Sequence, residues 1–255
     1  MQLTLLGTGN IASSLGNAFF TSGHKIAQIY GRNKSAVRQL ALQLNAEPVT
    51  EMADLKKGSD IYMLCVSDDA IAEVADKIMI ADFLCLHTSG AVSIDILQNK
   101  FNECGVFYPV QTITSSRKLN FKEIPICIEA NTNEAQIKIK SLAQSISNNV
   151  HHVNSQQRVY LHLAAVFANN FSNSLYTGAA ALLQEQNLSI RLLHPLMIET
   201  ALKAIELNPL TAQTGPAVRD DKHTIEKHLS LLESHPVLKT VYQLMTDLIQ
   251  QQKIK

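Results

Sequence analysis

Residues 2–12 read QLTLLGTGNIA, and this stretch determines the fold of the amino-terminal half of the chain. The apolar run from Gln2 to Leu6 predicts a strand, and the helical spacing of apolar residues from Asn10 to Ser22 predicts a helix. Between them the sequence fits the dinucleotide-binding pattern G-x-G-x-x-G/A, in which small residues allow a tight turn and a close approach to a pyrophosphate. The candidate residues are Gly7, Thr8, Gly9, Asn10, Ile11 and Ala12. An ordinary glycine turn is the alternative.

Strand and helix patterns continue to alternate as far as residue 153. This alternation predicts an α/β fold in which an open, mostly parallel, Rossmann-like sheet is covered by helices on both faces. We assign residues 1–153 to this dinucleotide-binding domain and 154–255 to an all-helical domain for substrate binding and dimerisation. The composition supports the division, because eight of ten glycines lie in the first 105 residues and seven of nine histidines lie after residue 150.

Composition excludes several functional classes. The 255 residues include 22 basic and 22 acidic side chains, so there is no basic excess to bind nucleic acid or an acidic membrane. The four cysteines form no CxxC pair, which indicates reduced core thiols and predicts neither disulfides nor a metal site. The amino terminus has no basic leader, and no apolar run is long enough to span a membrane. We expect a soluble cytoplasmic protein.

The end of the second predicted strand indicates the cofactor. NAD-binding proteins usually place an acid there to bind the ribose, but the first acidic residue of this chain is Glu47. The position is taken instead by cations and polar donors suited to a 2′-phosphate, namely Gly31, Arg32, Asn33 and Lys34. The sequence therefore predicts NADP, and a solvated loop is the alternative.

Two later strand ends carry polar residues where ligands of such sheets bind. Val66 and Ser67 follow the fourth strand and would complete the cofactor site. His87, Thr88, Ser89 and Gly90 follow the fifth strand, and Gln111 follows the sixth; these would bind substrate. The alternative is that the hydroxyl groups only cap helices, and Asp68 is predicted to cap the helix after the fourth strand.

The second half contains a long helix with almost no charge. Between Ser141 and Gln184 the only charged side chain is Arg158, so we expect a mostly buried helix from Asn154 or Ser155 to about residue 186, packed against other helices and a second subunit. His162, Val166, Asn169 and Asn173 would share one face, with Asn170 adjacent. These residues mark either a buried structural network or a catalytic cleft.

A later loop could bind an acidic group of the substrate. Its candidate residues are Gln213, Thr214, Gly215 and Arg219. A Gly-Pro turn with Arg219 paired locally is the alternative.

These motifs together resemble a bacterial family that joins a Rossmann-like domain to a helical domain of unknown function and is labelled NADP oxidoreductase. More distantly the chain is similar to pyrroline-5-carboxylate reductase, deazaflavin-dependent NADP oxidoreductases, and the 6-phosphogluconate and β-hydroxyacid dehydrogenases. The resemblance implies a carboxy-terminal domain like that of 6-phosphogluconate dehydrogenase, which closes the cleft and forms a homodimer. If Asn170 matches the asparagine of the hydroxyacid dehydrogenases, Val166 stands where they have a catalytic lysine.

We therefore predict an NADP-dependent oxidoreductase that passes hydride between the nicotinamide and a small polar C=O or C=N substrate. His162, Asn169 and Asn170 are the candidate catalytic residues, and Asn173 would help to orient the substrate. The alternatives are a dinucleotide-binding sensor without catalysis and a structural dimer that binds no nucleotide.

Overall fold

The computed structural model describes residues 1–79, 82–114, 117 and 119–253. The chain forms two compact units, of which the first is Met1–Asn170 and the second begins at Phe171. The predicted functional boundary between residues 153 and 154 coincides with the start of a long helical segment. That boundary stays a prediction.

The first unit is built on an eight-stranded sheet with the order β3-β2-β1-β4-β5-β6-β7-β8. Every neighbouring pair is parallel except β6 and β7. The sheet confirms the predicted Rossmann-like, mostly parallel architecture. The strands are β1 (Gln2–Leu6), β2 (Lys25–Tyr30), β3 (Glu47–Val49), β4 (Ile61–Leu64), β5 (Leu84–His87), β6 (Glu103–Pro109), β7 (Ile126–Ala130) and β8 (Val150–His152).

The strand order reverses direction between β1 and β4, which is where such sheets bind ligands at their carboxyl edge. Apolar side chains cover both faces of the sheet. In β4, for example, Ile61 and Met63 pack into one core while Tyr62 and Leu64 pack into the other. The helices of this part are α1 (Asn10–Thr21), α2 (Lys34–Gln43), α3 (Ile71–Asp76), α4 (Asp95–Gln98) and α5 (Asn133–Ile146), with 3-10 turns at Met52–Asp54, Asp68–Ala70 and Phe121–Glu123.

The helical segment that begins at residue 155 has the predicted length but is not a regular α-helix. α6 (Ser155–Ala165) is followed by a π-helical segment, Val166–Phe171, and then by α7 (Ser172–Glu185). Asn154 caps α6 in a reciprocal capping box with Gln157, as the sequence allowed.

The second unit is helical. It contains α7 and then the 3-10 turn Ile190–Leu193, α8 (His194–Glu206), α9 (Pro209–Ala212), α10 (Pro216–Arg219), α11 (Lys222–Leu231) and α12 (Pro236–Lys253). A Cβ at Gly178 of α7 would lie 2.8 Å from Leu238 Cδ2, so this glycine allows α7 and α12 to pack closely. Within the described residues, no helix is long and apolar enough to cross a membrane.

The predicted burial of the uncharged helix includes packing against a second subunit and stays a prediction. In the single chain, seven large hydrophobic side chains between residues 155 and 185 are exposed. The prediction that Asp68 caps a helix is wrong, since Ser67 precedes a 3-10 turn and α3 begins only at Ile71 without a side-chain cap.

Candidate functional site

The turn after β1 requires glycine at its first position. Gly7 has φ +134°, and a Cβ there would lie 2.2 Å from the carbonyl oxygen of Cys65. The N–H of Gly7 donates to the carbonyl of Tyr30 at 2.8 Å. Gly7 therefore holds the carboxyl ends of β1, β2 and β4 close together.

Gly9 serves a different purpose, because the space around it is open. A Cβ at Gly9 would meet no atom within 4 Å. Gly9 stands at the N-cap of α1, where no described side chain caps the helix, and the first turn contains no acidic residue. The N–H groups of that turn are therefore available to an anionic group that approaches the backbone.

A cleft of about 330 Å³ lies over this turn. Eight of the twelve predicted cofactor residues line it, namely Gly7, Thr8, Gly9, Gly31, Arg32, Asn33, Val66 and Ser67. The other four do not line it. Ala12 is buried in the core and Ile11 packs against that core. Asn10 and Lys34 are exposed.

Six further residues, which were not predicted from the sequence, line the same cleft: Tyr30, Cys65, Ala70, Glu73, Val74 and Lys77. Four of them follow helical spacing at positions 70, 73, 74 and 77, so they share one face of the segment that contains α3. This helical spacing comes soon after β4, at the point where the strand order reverses, and it was the sequence signal that could have identified these four residues.

Charged side chains at the edge of the cleft form one group. Lys77 and Glu73 are ion-paired at 2.5 Å. This bond lowers the pKa of Glu73, and the positive charge of Arg32 lowers it further. Since Arg32 also acts on Lys77, the three side chains lie within electrostatic reach of one another and have a net positive charge.

Asn33 is partly committed to the fold. Its side-chain oxygen accepts hydrogen bonds from the N–H groups of Ser35 and Ala36, both at 3.1 Å, and so caps α2. Arg32 is exposed at the cleft. Of the cations at the end of β2, Arg32 is thus the one that the structure places at the cleft.

His87 ends β5 and is fully buried. Its Nδ1 accepts a hydrogen bond from the N–H of Ser89 at 3.2 Å, which leaves the proton on Nε2. Burial, together with the nearby charge of Arg158, lowers the pKa of His87 to about 3. His87 is therefore neutral near pH 7 and holds the loop that follows it, rather than acting as an acid.

The hydroxyl groups of this loop have structural partners. Ser89 Oγ accepts from the N–H groups of Ala91 and Val92 at 3.1 and 3.0 Å, so it holds the turn after β5 and does not cap α4, which begins only at Asp95. Thr88 Oγ1 donates to the carbonyl of Leu64 at 3.4 Å. This contact links the loop to the end of β4, beside the cleft.

Gly90 lies under a contact between Tyr108 and His162. The hydroxyl of Tyr108 is 3.2 Å from Nδ1 of His162, and their rings meet edge to face with centroids 6.2 Å apart. A Cβ at Gly90 would lie 2.8 Å from both His162 Nδ1 and Tyr108 Cζ. The structure therefore brings together Tyr108 of β6, His162 of α6 and Gly90 of the loop after β5.

The remaining candidates are more dispersed. Asn169 and Asn170 are exposed and contact each other at 3.5 Å. The π-helical segment Val166–Phe171 interrupts the regular spacing from which a shared face of His162, Val166, Asn169 and Asn173 was predicted, and that shared face stays a prediction. Gln111 is exposed and accepts from the adjacent N–H of Thr112 at 2.9 Å.

The second unit contains Asn173 and the predicted loop Gln213, Thr214, Gly215 and Arg219. Gly215 has φ +111° and stands at the N-cap of α10, where a residue with a side chain would be strained. Arg219 is the last residue of α10 and is exposed. Joint action of this loop with His162 stays a prediction.

Comparisons with known proteins agree with the fold described above. Residues 2–95 match the family described as "NADP oxidoreductase coenzyme F420-dependent", and residues 124–249 match a domain of unknown function, DUF2520. The crystal structure of a "putative NADP oxidoreductase" from Bacteroides fragilis is 38% identical, with 98% of each chain covered and a TM-score of 0.93. No curated protein matches the chain.

Two more distant structures share the fold. An imine reductase from Myxococcus stipitatus, solved in complex with NADP+, is 17% identical over 98% of this chain and 93% of that chain, with a TM-score of 0.69. A 1-pyrroline-5-carboxylate reductase from Streptococcus pyogenes is 14% identical over 98% of each chain, with a TM-score of 0.61.

Proposed function

The chain belongs to the family of NADP oxidoreductases in which a Rossmann-like domain is joined to DUF2520, and we propose that it reduces a C=N or C=O bond of a small polar molecule with NADPH. The observation that carries this proposal is the contact of Tyr108 with His162 above Gly90, at the same edge of the sheet as a cleft suited to a dinucleotide. The carboxyl ends of β1, β2, β4, β5 and β6 lie at one edge of the sheet because these strands are parallel.

The cleft fits NADP on the basis of its own residues. Gly9 leaves room for a pyrophosphate at the start of α1, and Arg32 offers a planar cation to a 2′-phosphate. No acidic residue at the end of β2 neutralises the charge of Arg32. Val66 and Ser67 would line the site nearer to the nicotinamide.

The preference for NADP is tested by Arg32→Ala, with Lys34→Ala as a matched control because Lys34 is a cation just outside the cleft. A lost charge-assisted hydrogen bond of about 1.5–3 kcal/mol weakens binding by roughly 10- to 100-fold. We expect isothermal titration to show that Arg32→Ala binds NADPH more weakly by that factor and binds NADH almost unchanged. Lys34→Ala should bind both cofactors almost as the unmodified protein does. Equal affinities of the unmodified protein for NADPH and NADH would contradict the proposal.

His162 is the proposed proton or hydrogen-bond donor. Among the described residues, the only hydrogen-bond partner of the Tyr108 hydroxyl is His162 Nδ1. In the proposed arrangement the hydroxyl donates its proton to Nδ1. Burial raises the pKa of Tyr108, which keeps that proton in place at neutral pH. His162 then presents Nε2–H to the substrate.

NADPH, when bound, supplies the hydride for the carbon of the C=N or C=O bond. The new N–H or O–H bond takes its proton from Nε2 of His162 as Nδ1 accepts the hydroxyl proton of Tyr108, and Tyr108 then recovers a proton from solvent. Asn169, Asn170 and Asn173 would orient the substrate, and Arg219 with the Gln213–Gly215 loop would bind an acidic group on it. Ser89 and Gln111 would border the same site.

The turnover test compares His162→Gln with His151→Gln, since His151 is an exposed histidine on β8. Loss of general acid–base catalysis typically lowers kcat by about 10²- to 10⁴-fold. We expect that loss only in His162→Gln, measured as NADPH oxidation with small cyclic imines and ketones. Unchanged turnover in His162→Gln would refute the assignment.

A C=N substrate is favoured over an alcohol. If Asn170 matches the asparagine of the hydroxyacid dehydrogenases that the chain resembles, Val166 stands where they have a lysine, and their route to alcohol oxidation has no counterpart here. An imine needs no such base, and the Myxococcus stipitatus protein of the same fold is named an imine reductase.

A dinucleotide sensor is the second candidate, and the missing lysine is the observation that favours it. Thermal-shift measurements with NADPH, followed by mixtures of metabolites, separate the two functions. NADPH stabilisation without oxidation by any metabolite supports the sensor, whereas metabolite-dependent loss of the nicotinamide absorbance supports the enzyme. Absence of any NADPH effect would support a structural dimer that binds no nucleotide.

We further propose a homodimer that forms through the carboxy-terminal helices. In the described part of the second unit, the buried hydrophobic residues are Ala217 and Leu232, whereas many large apolar side chains are exposed. An apolar surface of this kind is typical of an obligate interface. Light scattering should give a dimer that Ile198→Asp converts to monomer, while Leu42→Asp, an exposed leucine of α2, leaves it intact.

A cytoplasmic location is proposed from the cysteines. Cys65, Cys85, Cys104 and Cys127 are all free and buried, as expected for a protein of a reducing compartment. Localisation of a tagged protein by cell fractionation tests this.

A further inference from the structure

Arg158, the one charged side chain in a long uncharged stretch, is 1% exposed. Its Nη1 donates to Glu129 of β7, and its Nη2 donates to the carbonyl of Val92 and to Ser155 Oγ. Buried ion pairs are not in general stabilising, because removing two charges from water offsets their attraction. A role in positioning gives a better reason for this pair.

The pair joins three separate elements. Glu129 accepts from Ser155 N–H at 2.9 Å and from Ser155 Oγ at 2.8 Å, which fixes the start of α6 against β7. Ser155 Oγ in turn accepts from the N–H of Ile94 at 3.0 Å. Together with the Val92 contact, these bonds attach the segment after β5 to α6.

The attachment controls the spacing at the proposed catalytic site. His162 is four residues after Arg158, so both lie on the same face of α6. Gly90 and Val92 are in the segment that Arg158 holds, and Glu129 pairs with Val106 of β6, two residues before Tyr108. A shift of α6 relative to β7, and so to the adjacent β6, would change the distance between His162 and Tyr108.

We propose that Glu129, Arg158 and Ser155 are positioning residues that hold His162 against Tyr108 and Gly90 in the geometry needed for proton donation. The inference rests on the proposed function, since it assigns the purpose of the network to that site. The charge of Arg158 also reaches the site: burial raises the pKa of Tyr108, and Arg158 opposes that rise. The network thus acts on both partners of the contact.

The test uses Glu129→Gln, with Glu103→Gln as a matched control, because Glu103 lies on β6, the strand next to Glu129, and forms an ion pair with Lys138 of α5. The ring nitrogens of His162 are observed by NMR and assigned by the signals lost in His162→Gln. We expect the Nε2–H tautomer, with Nδ1 as acceptor, in the unmodified protein and in Glu103→Gln. We expect that signature to be lost in Glu129→Gln, although NADPH affinity changes less than twofold.

Turnover gives the second measurement. A misplacement of about 1 Å can lower the rate by roughly 100-fold, so kcat should fall by about 10- to 100-fold in Glu129→Gln with little change in KM for NADPH. If Glu129→Gln does not fold, Ser155→Ala removes only the hydroxyl and should weaken the same signature. A folded Glu129→Gln or Ser155→Ala with unaltered His162 signals and kcat overturns the proposal.

The two proposals can fail separately. The NMR signature does not require turnover, so an unmodified protein that oxidises NADPH with no imine or ketone contradicts the proposed function alone. Loss of the signature in Glu129→Gln would still establish the positioning role.

Discussion

Gly90→Ala tests the geometry of the proposed site in the most local way. The added methyl group would lie 2.8 Å from His162 Nδ1, 2.8 Å from Tyr108 Cζ and 2.9 Å from Tyr108 Cε2. Contacts this short require both rings to move, which breaks the 3.2 Å hydrogen bond between them. The backbone of Gly90 does not have positive φ, so the effect arises from crowding alone.

The magnitude is set by the cost of overpacking. Forcing a methyl group into a filled site lowers the free energy of unfolding by about 1–3 kcal/mol. Urea unfolding measures that loss, and NADPH oxidation measures the consequence for catalysis. We expect kcat to fall by about 10- to 100-fold while the Kd for NADPH stays within twofold, because Gly90 lies outside the cofactor cleft.

Gly90→Ala can also contradict the proposed geometry. If this variant unfolds at the same urea concentration as the unmodified protein and keeps its turnover, the Tyr108 and His162 rings do not lie over Gly90 in solution. The catalytic assignment would then lose its geometric basis.

Three further predictions concern the first unit. Gly9→Ala should leave the free energy of unfolding unchanged or slightly higher in urea titrations, because the added Cβ meets no atom. The same variant should bind NADPH at least about tenfold more weakly, because the methyl group fills the space for a pyrophosphate. Gly7→Ala should lower the free energy of unfolding by about 3 kcal/mol or more in the same titrations, because its Cβ would clash with a backbone oxygen at an unfavourable φ; a mild effect would contradict the turn geometry. His87 has its pKa lowered to about 3, so the unfolded chain binds a proton below about pH 6.5 that the folded protein does not, and stability falls as the pH drops. His87→Asn can still accept the hydrogen bond from Ser89. Between pH 6.5 and 4.5 its free energy of unfolding should fall by about 2–3 kcal/mol less than that of the unmodified protein. Equal decreases would refute the buried neutral histidine.

The cofactor half was predictable because its signals are local. Apolar runs predicted the strands, the glycine pattern predicted the turn, and strand polarity placed the ends of β1, β2 and β4 at one edge. Glu73 and Lys77 escaped prediction because their position depends on which face of α3 meets the cleft. That orientation is set by packing rather than by residue type.

The helical half was less predictable for physical reasons. Composition marked Arg158 as exceptional, but its partner Glu129 is 29 residues earlier on a strand, and nothing local relates the two. The π segment from Val166 to Phe171 changes the hydrogen-bond pattern although the segment contains no glycine, proline or charged residue. Apolar composition alone also predicted burial, although the side chains are exposed in the single chain.

A crystal structure of the protein with NADP+ is the decisive test of the proposed cofactor and catalytic sites. We predict the pyrophosphate at Gly9 and the start of α1, the 2′-phosphate on Arg32, and the nicotinamide on the side of Gly90 and His162. A dinucleotide bound elsewhere, or one with its nicotinamide directed away from His162, would contradict the proposed function.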